Sequence, residues 1–367
     1  ALALVFFDAG FALNIFEFFL KSVRPLIFSI LTVAFISVGV AIVAHAIFGW
    51  GYMVGATLGA IFGGTGMAIV VILTKDLSLS KEVHHFLTVE GALTGVFAIL
   101  ITATLTDFLV FGTVDIETAG ISLISSIGKG ILLGMVVGVL WLLVLYSTKN
   151  LEYPYMITLA ILFFVYVVSD FMNGNGPLSA LFFGMMMSNG NKICELIRLK
   201  HPAIDEKTFV EFQHEMMFFF KSFFFIYLGT LVMITEEKTI IIGGVIALVI
   251  LVARIFAIFL STAGSSELAG NRFILSALFT RGLKSAVLAT LPLTIVHGYM
   301  KTQPYLPQLY PLAYIFRQFP NIVFVAMSIS ILLTTLLVIM WSFTHGRRKD
   351  YHALREPKIT HLDEASG

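Results

Sequence analysis

The sequence predicts an all-α polytopic membrane protein, and three observations support this fold class. Hydrophobic residues make up 58% of the 367 residues and charged residues only 12%, whereas soluble domains are about 25% charged. Charged or Gly/Pro-rich breaks divide the chain into apolar runs of about 20 residues, the length of a transmembrane helix. These runs are continuously apolar, without the alternation of a membrane β-barrel. The net charge of +1, without a basic face, excludes a nucleic-acid binder.

Eleven runs are predicted to be transmembrane segments. They are 1–18, 25–49, 51–73, 84–108, 121–147, 153–173, 176–190, 211–234, 239–262, 272–298 and 318–343. Residues 1–343 then form one transmembrane domain, and residues 344–367 form a polar tail. The longest predicted loops, 191–210 and 299–317, are too short to form a separate domain.

The connections between these segments differ in positive charge. In chain order, alternate connections carry Lys21 and Arg24, then Lys75 and Lys81, then Lys149, then Lys192, Arg198, Lys200 and Lys207, and finally Arg272. The other connections hold only Lys238, Lys301 and Arg317, with Lys129 at the outer end of its segment. Because Lys and Arg concentrate in cytoplasmic loops, this asymmetry supports eleven crossings and predicts a cytoplasmic C-terminus in a cell membrane. Residues 153–173 and 176–190 must count as two crossings for the asymmetry to hold.

Seven ionisable residues fall within the predicted segments, where a buried charge costs several kcal/mol and indicates a functional or paired group. They are Asp8, Glu90, Asp170, Lys221, Arg254, Arg281 and Lys284. Arg254 interrupts an apolar helix, so we expect it to face an acid, with Glu90 as first choice. Structural pairing and ion binding stay open for Glu90. Asp8 and Asp170 have the alternative of helix-end acids, and Lys221 is expected to reach an interface.

Two predicted segments are interrupted at mid-membrane depth. The first contains Gly63-Gly-Thr-Gly66, and the second contains Thr280-Arg-Gly-Leu-Lys-Ser285. Broken helices in two inverted repeats are typical of the substrate site of a secondary transporter. Arg281 and Lys284 could neutralise the carbonyl-bearing ends of the half-helices. The alternative for the glycines is close helix packing.

The order of these features resembles the monovalent cation:proton antiporter family, the Na⁺/H⁺ exchangers of archaea and bacteria, over nearly the whole chain. Residues 6–10 resemble the family's Phe-Glu-Gly-Gly, and residues 59–67 lie where the family has an unwound helix with Thr-Asp-Pro. Residues 89–95 resemble Glu-Ser-Leu-Leu-Asn-Asp. Residues 173–180 resemble His-Gly-Ser-Gly-Ile-Leu-Ala, and residues 282–287 resemble Gly-Leu-Arg-Gly-Ala-Val. The order and spacing of these strings make the resemblance specific.

The resemblance implies an antiporter fold with inverted repeats and two broken, crossing helices. It also implies thirteen transmembrane helices in full, so that two would precede Ala1, and a homodimer. The family's two ion-binding aspartates, in Thr-Asp-Pro and Asn-Asp, correspond to Gly66 and Gly95 here. The acid at position 90 resembles a structural partner of the helix arginine, which would leave Asp8 and Asp170 to titrate.

We therefore predict a secondary active transporter that exchanges Na⁺ or K⁺ for protons by alternating access. The predicted ion and proton pathway consists of Asp8, Thr65, Gly66, Glu90, Thr94, Gly95 and Asp170, with Arg254, Arg281 and Lys284 as structural charge partners. The alternative is a degenerate homologue that no longer exchanges cations and acts as a sensor, scaffold or subunit, or that carries an anionic solute. The glycines at both aspartate positions and the excess of basic residues favour that alternative.

Enzymatic chemistry, a cofactor and a metal site are not expected. The nine His are scattered, there is one Cys, and no Gly-rich phosphate loop occurs. The expected partners are a monovalent cation, protons, the lipid bilayer and a second copy of the chain.

Overall fold

The computed structural model describes residues 2–15, 18, 22–66, 70, 79–111, 116–147, 154–196, 206–232, 237–302 and 309–353. Within these residues the chain forms sixteen helices, and its extended pairing is limited to one isolated bridge. The all-α prediction is confirmed.

The first eight helices lie before residue 200. They are α1 (Leu2–Phe11), α2 (Val23–Phe48), α3 (Tyr52–Ile61), α4 (Lys81–Phe111), α5 (Ile116–Ser147), α6 (Pro154–Phe171), α7 (Gly176–Ser188) and α8 (Gly190–Leu196). The remaining eight are α9 (Glu206–Leu231), α10 (Glu237–Ser261), α11 (Ser266–Gly270), α12 (Arg272–Ala277), α13 (Leu283–Leu288), α14 (Leu291–Thr302), α15 (Leu309–Phe316) and α16 (Phe319–Ala353).

Within the described part of the chain, six stretches are long and apolar enough to cross a membrane. They are Val23–Phe48, Lys81–Val110, Gly120–Ser147, Pro154–Phe171, Glu237–Ser261 and Leu309–Phe343. Three shorter apolar helices, α1, α3 and α7, pack among them. Large apolar side chains such as Ile124 and Leu332 are exposed on the outside, as expected of a surface that faces lipid. The chain is therefore a polytopic membrane protein.

Glycines allow the short helix α7 to pack directly against α1. A Cβ atom on Gly10 would lie 1.9 Å from the carbonyl oxygen of Leu181, and one on Gly184 would lie 2.3 Å from that of Phe7. Both distances are far below van der Waals contact, so only glycine permits this approach. Helix α7 also packs against α5 and α6, while α2, α3, α4, α10 and α16 pack together around the interrupted helices.

The segment predicted over residues 1–18 is not one continuous helix, because α1 ends at Phe11. The backbone beyond it is held by Asn189, whose amide nitrogen donates to the carbonyl of Leu13 at 2.9 Å. The side-chain oxygen of Asn189 accepts from the backbone nitrogen of Ile15 at 3.3 Å. These bonds satisfy peptide groups that a helix break would leave unpaired. The break escaped prediction because its partner lies far along the chain, between α7 and α8.

Three predicted non-helical regions are partly helical. Residues 191–210, predicted as a loop, include most of α8 and the start of α9. Residues 299–317, predicted as a loop, include the end of α14 and all of α15. Residues 344–353 of the predicted polar tail continue helix α16. The remainder of the tail lies outside the described residues.

Candidate functional site

Two interrupted helices cross in the interior of the bundle. Thr65, beyond the end of α3, forms an antiparallel bridge with Arg281, which lies between α12 and α13. The backbone nitrogen of Gly66 donates to the carbonyl of Thr280 at 2.8 Å. A Cβ atom on Gly66 would lie 3.2 Å from the backbone nitrogen of Gly282. A larger residue would therefore force the two backbone segments apart. The two breaks predicted from the sequence therefore meet each other.

A fully buried ion pair lies beside this crossing. Arg254 of α10 donates through Nη1 to Glu90 Oε1 at 2.7 Å and through Nη2 to Glu90 Oε2 at 2.9 Å. Both side chains are 0% exposed. Arg254 Nε donates to the carbonyl of Leu275 at 2.8 Å, and its guanidinium lies 5.0 Å from the ring centre of Phe28. The pairing expected for Arg254 and Glu90 is present in bidentate form.

Two buried threonines connect the ion pair to the crossing. The hydroxyl of Thr65 donates to Glu90 Oε1 at 2.6 Å. The hydroxyl of Thr94 donates to the carbonyl of Glu90 at 2.7 Å and accepts from the backbone nitrogen of Thr65 at 3.4 Å. Glu90 thus receives two guanidinium donors and one hydroxyl, so its charge is satisfied within the protein.

Arg281 is buried at the end of the α3 half-helix. Its Nη1 donates to the carbonyl of Gly63 at 3.1 Å and approaches the Thr65 hydroxyl at 3.4 Å. Its backbone nitrogen donates to Ser330 Oγ of α16 at 3.1 Å. A cation at the carbonyl end of a helix opposes the helix dipole, which is the arrangement expected for this residue.

Lys284 lies in α13 with 7% of its surface exposed. Its ammonium donates to the carbonyl of Gly91 in α4 and lies 5.4 Å from the ring centre of Phe6. Its Cδ lies 2.9 Å from the position that a Cβ atom on Gly95 would take. Its Cβ lies 3.3 Å from the position that a Cβ atom on Gly64 would take. The lysine side chain therefore occupies the space beside the glycine at position 95.

Asp8 lies on α1, the helix that brings Phe6 to Lys284 and Gly95. Its carboxylate is partly buried and accepts a hydrogen bond from Gln213 Nε2 of α9 at 3.0 Å. Within the described part of the chain, no ion pair joins Asp8 to a cation. Asp8 is therefore a carboxylate in the bundle whose charge has an amide as its partner.

Asp170 and Lys221 are not brought to the crossing by any contact that the structure describes. Asp170 is exposed near the end of α6, where Oδ1 accepts from the backbone nitrogen of Gly176 at 3.0 Å. This bond caps the turn between α6 and α7, which matches the helix-end alternative for this acid. The side chain of Lys221 lies outside the described residues.

Sequence reasoning missed three contributors to the site. Gln213 holds Asp8, Ser330 accepts from the backbone of Arg281, and Gly91 offers its carbonyl to Lys284. Only Gln213 left a signal, as an amide in an apolar helix, and it was not recognised. The serine accepts a hydrogen bond from a backbone nitrogen, and the glycine contributes only its carbonyl, so neither residue leaves a signal in the sequence. Within the described residues, no group of three or more His, Cys, Asp or Glu side chains could hold a metal ion.

A helical membrane bundle in which two interrupted helices cross at its centre defines the antiporter fold. Residues 1–344 match the family model described as sodium/hydrogen exchanger, transmembrane, and the chain belongs to this family. The chain is similar to the structure of the sodium proton antiporter MjNhaP1 from Methanocaldococcus jannaschii at pH 8. The TM-score is 0.76, identity is 18%, and the match covers 92% of this chain and 83% of that one. For an electron-microscopy map of the same antiporter the TM-score is 0.69 at 20% identity, covering 93% of this chain and 81% of that one.

Proposed function

We propose that this protein is a secondary active transporter that exchanges a monovalent cation, Na⁺ or K⁺, for protons by alternating access. The observation that carries the proposal is the backbone crossing of Thr65 and Arg281 inside the bundle. Crossed, interrupted helices expose peptide groups at membrane depth, where they can contact an ion that has lost its water. Membership of the sodium/hydrogen exchanger family supports the same reading. The protein acts by transport and not by chemical catalysis.

Proton coupling requires a carboxylate that binds either a proton or the cation. Glu90 does not suit this role, because Arg254 and Thr65 already satisfy it at 2.6 to 2.9 Å. Asp8 suits it better, since its described partner is the neutral amide of Gln213. Asp8 also shares α1 with Phe6, whose ring lies next to the position of Gly95. We therefore assign the coupling carboxylate to Asp8.

Asp8→Asn in proteoliposomes carrying a pH gradient tests this role. We expect Na⁺ or K⁺ to dissipate the gradient with the unsubstituted protein and to have no effect with the variant. Asp107→Asn is a matched control, because Asp107 is also a partly buried acid but lies near the end of α4. An Asp8→Asn protein that exchanges ions as fast as the Asp107→Asn control would remove Asp8 from the mechanism.

The second candidate is a family member that no longer exchanges cations and serves as a sensor, scaffold or subunit. The position of Lys284 favours it, because its stem fills the space beside the glycines at positions 64 and 95 and its ammonium lies at the carbonyl of Gly91. A fixed positive charge there repels an entering cation. A folded protein that leaves the pH gradient intact with Na⁺, Li⁺ and K⁺ would make this candidate the better one.

We further propose that the transporter is a homodimer in the cell membrane with its C-terminus in the cytoplasm. The bias of Lys and Arg towards alternate connections supports this orientation. A Gly367→Cys variant in sealed vesicles tests this orientation. We expect a reagent that does not cross the membrane to label the cysteine from the cytoplasmic side. Labelling from the extracytoplasmic side alone would contradict it.

A further inference from the structure

The amide of Gln213 uses its nitrogen in a hydrogen bond, while its oxygen has no described partner. Gln213 lies on α9 with 3% of its surface exposed, whereas the nearby Glu211, His214 and Glu215 are exposed. Its Nε2 donates to Asp8 Oδ1 at 3.0 Å. Its Oε1 is buried and has no hydrogen-bond donor within the described part of the chain. Because a buried acceptor without a donor costs about 1–3 kcal/mol, this oxygen indicates a partner that exists in another state of the protein.

The carboxyl group of Asp8 changes its hydrogen-bonding character when it takes up a proton. An ionised carboxylate only accepts hydrogen bonds, whereas a protonated carboxyl group also has one O–H donor. The bond from Gln213 Nε2 to Asp8 Oδ1 therefore suits the ionised form. The O–H of the protonated form needs an acceptor, and the same amide carries one in Oε1.

A half turn of the amide brings this oxygen to Asp8. Oε1 and Nε2 are bonded to the same planar carbon, so rotation about the Cγ–Cδ bond exchanges their positions. After the rotation Oε1 occupies the place 3.0 Å from Asp8 Oδ1 where Nε2 now lies. The rotation requires no movement of α1 or α9. Since no described donor holds Oε1 in its present place, the charge of Asp8 decides the orientation of the amide.

Titratable groups on the surrounding helices have other described contacts. The helices that pack against α1 or α9 are α4, α6, α7, α13 and α16. Glu90 of α4 is held by Arg254, and Lys284 of α13 donates to a carbonyl of α4. Tyr155 of α6 packs against an aromatic ring of α9, and α7 contains no titratable residue. The amide on α9 is the described hydrogen-bond partner of the Asp8 carboxylate.

We propose that Gln213 is the hydrogen-bond partner of Asp8 in both of its charge states. Nε2 donates to the ionised carboxylate, and Oε1 accepts from the O–H group when Asp8 carries a proton. The carboxyl group is then hydrogen-bonded with and without its proton, so that neither state leaves it unpaired at membrane depth. Gln213 is a positioning residue for proton exchange. The inference rests on the assignment of the coupling carboxylate to Asp8.

Nuclear magnetic resonance of the full-length protein in detergent tests this role without measuring transport. The chain contains four glutamines, and a carbon-13 label at their side-chain carbonyls reports whether each oxygen accepts a hydrogen bond. The signal absent from Gln213→Leu belongs to Gln213. Labelled aspartate carboxyl groups show the pH at which Asp8 takes up its proton, because the Asp8 signal is absent from Asp8→Asn.

We expect the Gln213 carbonyl signal to shift over the same pH range as the Asp8 carboxyl signal. It should become independent of pH in Asp8→Asn. The carbonyl signal of Gln318, a partly exposed glutamine before α16, is the internal control and should stay constant. A Gln213 carbonyl signal that stays constant while Asp8 takes up its proton would overturn the proposal. An Asp8 carboxyl group that never takes up a proton would overturn it as well.

Gln213→Lys tests the consequence for transport. A lysine offers donors and no acceptor, so it binds the ionised carboxylate alone. We expect Gln213→Lys to exchange ions at least about tenfold more slowly than the control Gln318→Lys, the effect of a hydrogen bond to a charged group. Equal rates in the two variants would contradict the role of Gln213.

The two measurements separate this inference from the proposed function. A constant Gln213 signal in a protein that exchanges ions would reject the role of the amide alone. A signal that follows Asp8 in a protein that does not exchange ions would reject the proposed transport and leave the pairing in place.

Discussion

The side chain of Lys284 lies against the backbone of Gly95, with Cδ 2.9 Å from the position that a Cβ atom would take. A lysine from the opposing broken helix therefore fills the space beside this glycine. Because Gly95 has no side chain, the lysine stem has room to pass, and its ammonium reaches the carbonyl of Gly91.

This relationship predicts energetic coupling between positions 95 and 284. Gly95→Ala should destabilise the protein by about 1–3 kcal/mol, because the added methyl group overlaps the lysine side chain. In a Lys284→Ala background the same substitution should cost at least about 0.5 kcal/mol less. Unfolding midpoints of the two single variants and the double variant measure the coupling. If the effects are additive, the added methyl group clashes with Phe6, which lies 3.1 Å from the same position, and not with Lys284.

The Glu90–Arg254 pair should be necessary for folding stability. Glu90→Gln leaves a buried guanidinium without its counter-charge, so we expect a loss of about 3–5 kcal/mol. Arg254→Met should have a similar effect, whereas the Glu90→Leu/Arg254→Met double variant should be less destabilised than the sum of the single changes. Chemical unfolding in detergent measures all of these. A Glu90→Gln variant as stable as the original protein would show that the pair is not structural.

The crossing of the interrupted helices should tolerate no side chain at Gly66. A methyl group there would lie 3.2 Å from the backbone nitrogen of Gly282 and 3.3 Å from the carbonyl carbon of Arg281. Backbone atoms cannot move aside as a flexible side chain can, so Gly66→Ala should lower stability by about 1–3 kcal/mol. Gly128→Ala, with nothing within 4 Å, should be neutral or slightly stabilising in α5. Equal behaviour of the two variants would contradict the described crossing.

Asn189 should hold the break at the end of α1. Asn189→Leu removes the bonds to Leu13 and Ile15 and leaves buried peptide groups unpaired, at a cost of about 1–3 kcal/mol. Hydrogen exchange should show faster exchange of the Ile15 amide in the variant. Unchanged exchange at Ile15 would show that another group satisfies this backbone.

The sequence permitted prediction of the features that local pattern determines. Apolar runs located most of the helices. A glycine cluster located the first interruption, and a short string with two basic residues located the second. The cost of a charge in lipid identified Arg254 as a residue that needs an acid, and Glu90 is that acid in the structure. These inferences use only the residue types within each segment and the cost of placing them in lipid.

Contacts between distant segments could not be predicted in the same way. The break after Phe11 depends on Asn189, and the partner of Asp8 is Gln213. In the sequence, Asn189 and Gln213 look like ordinary polar residues. Their roles become visible only when the packing of the helices is known. Lys284 was expected to neutralise a helix end, but its ammonium binds the middle of α4, because glycines at positions 64 and 95 leave room for its stem.

The most direct test of the proposed function is cation-driven dissipation of a pH gradient by the unsubstituted full-length chain in proteoliposomes. The account predicts that Na⁺ or K⁺ added outside will move protons at a rate that saturates with cation concentration, whereas choline will not. A correctly folded, reconstituted protein that leaves the gradient unchanged with Na⁺, Li⁺ and K⁺, in chloride and in gluconate, would contradict it.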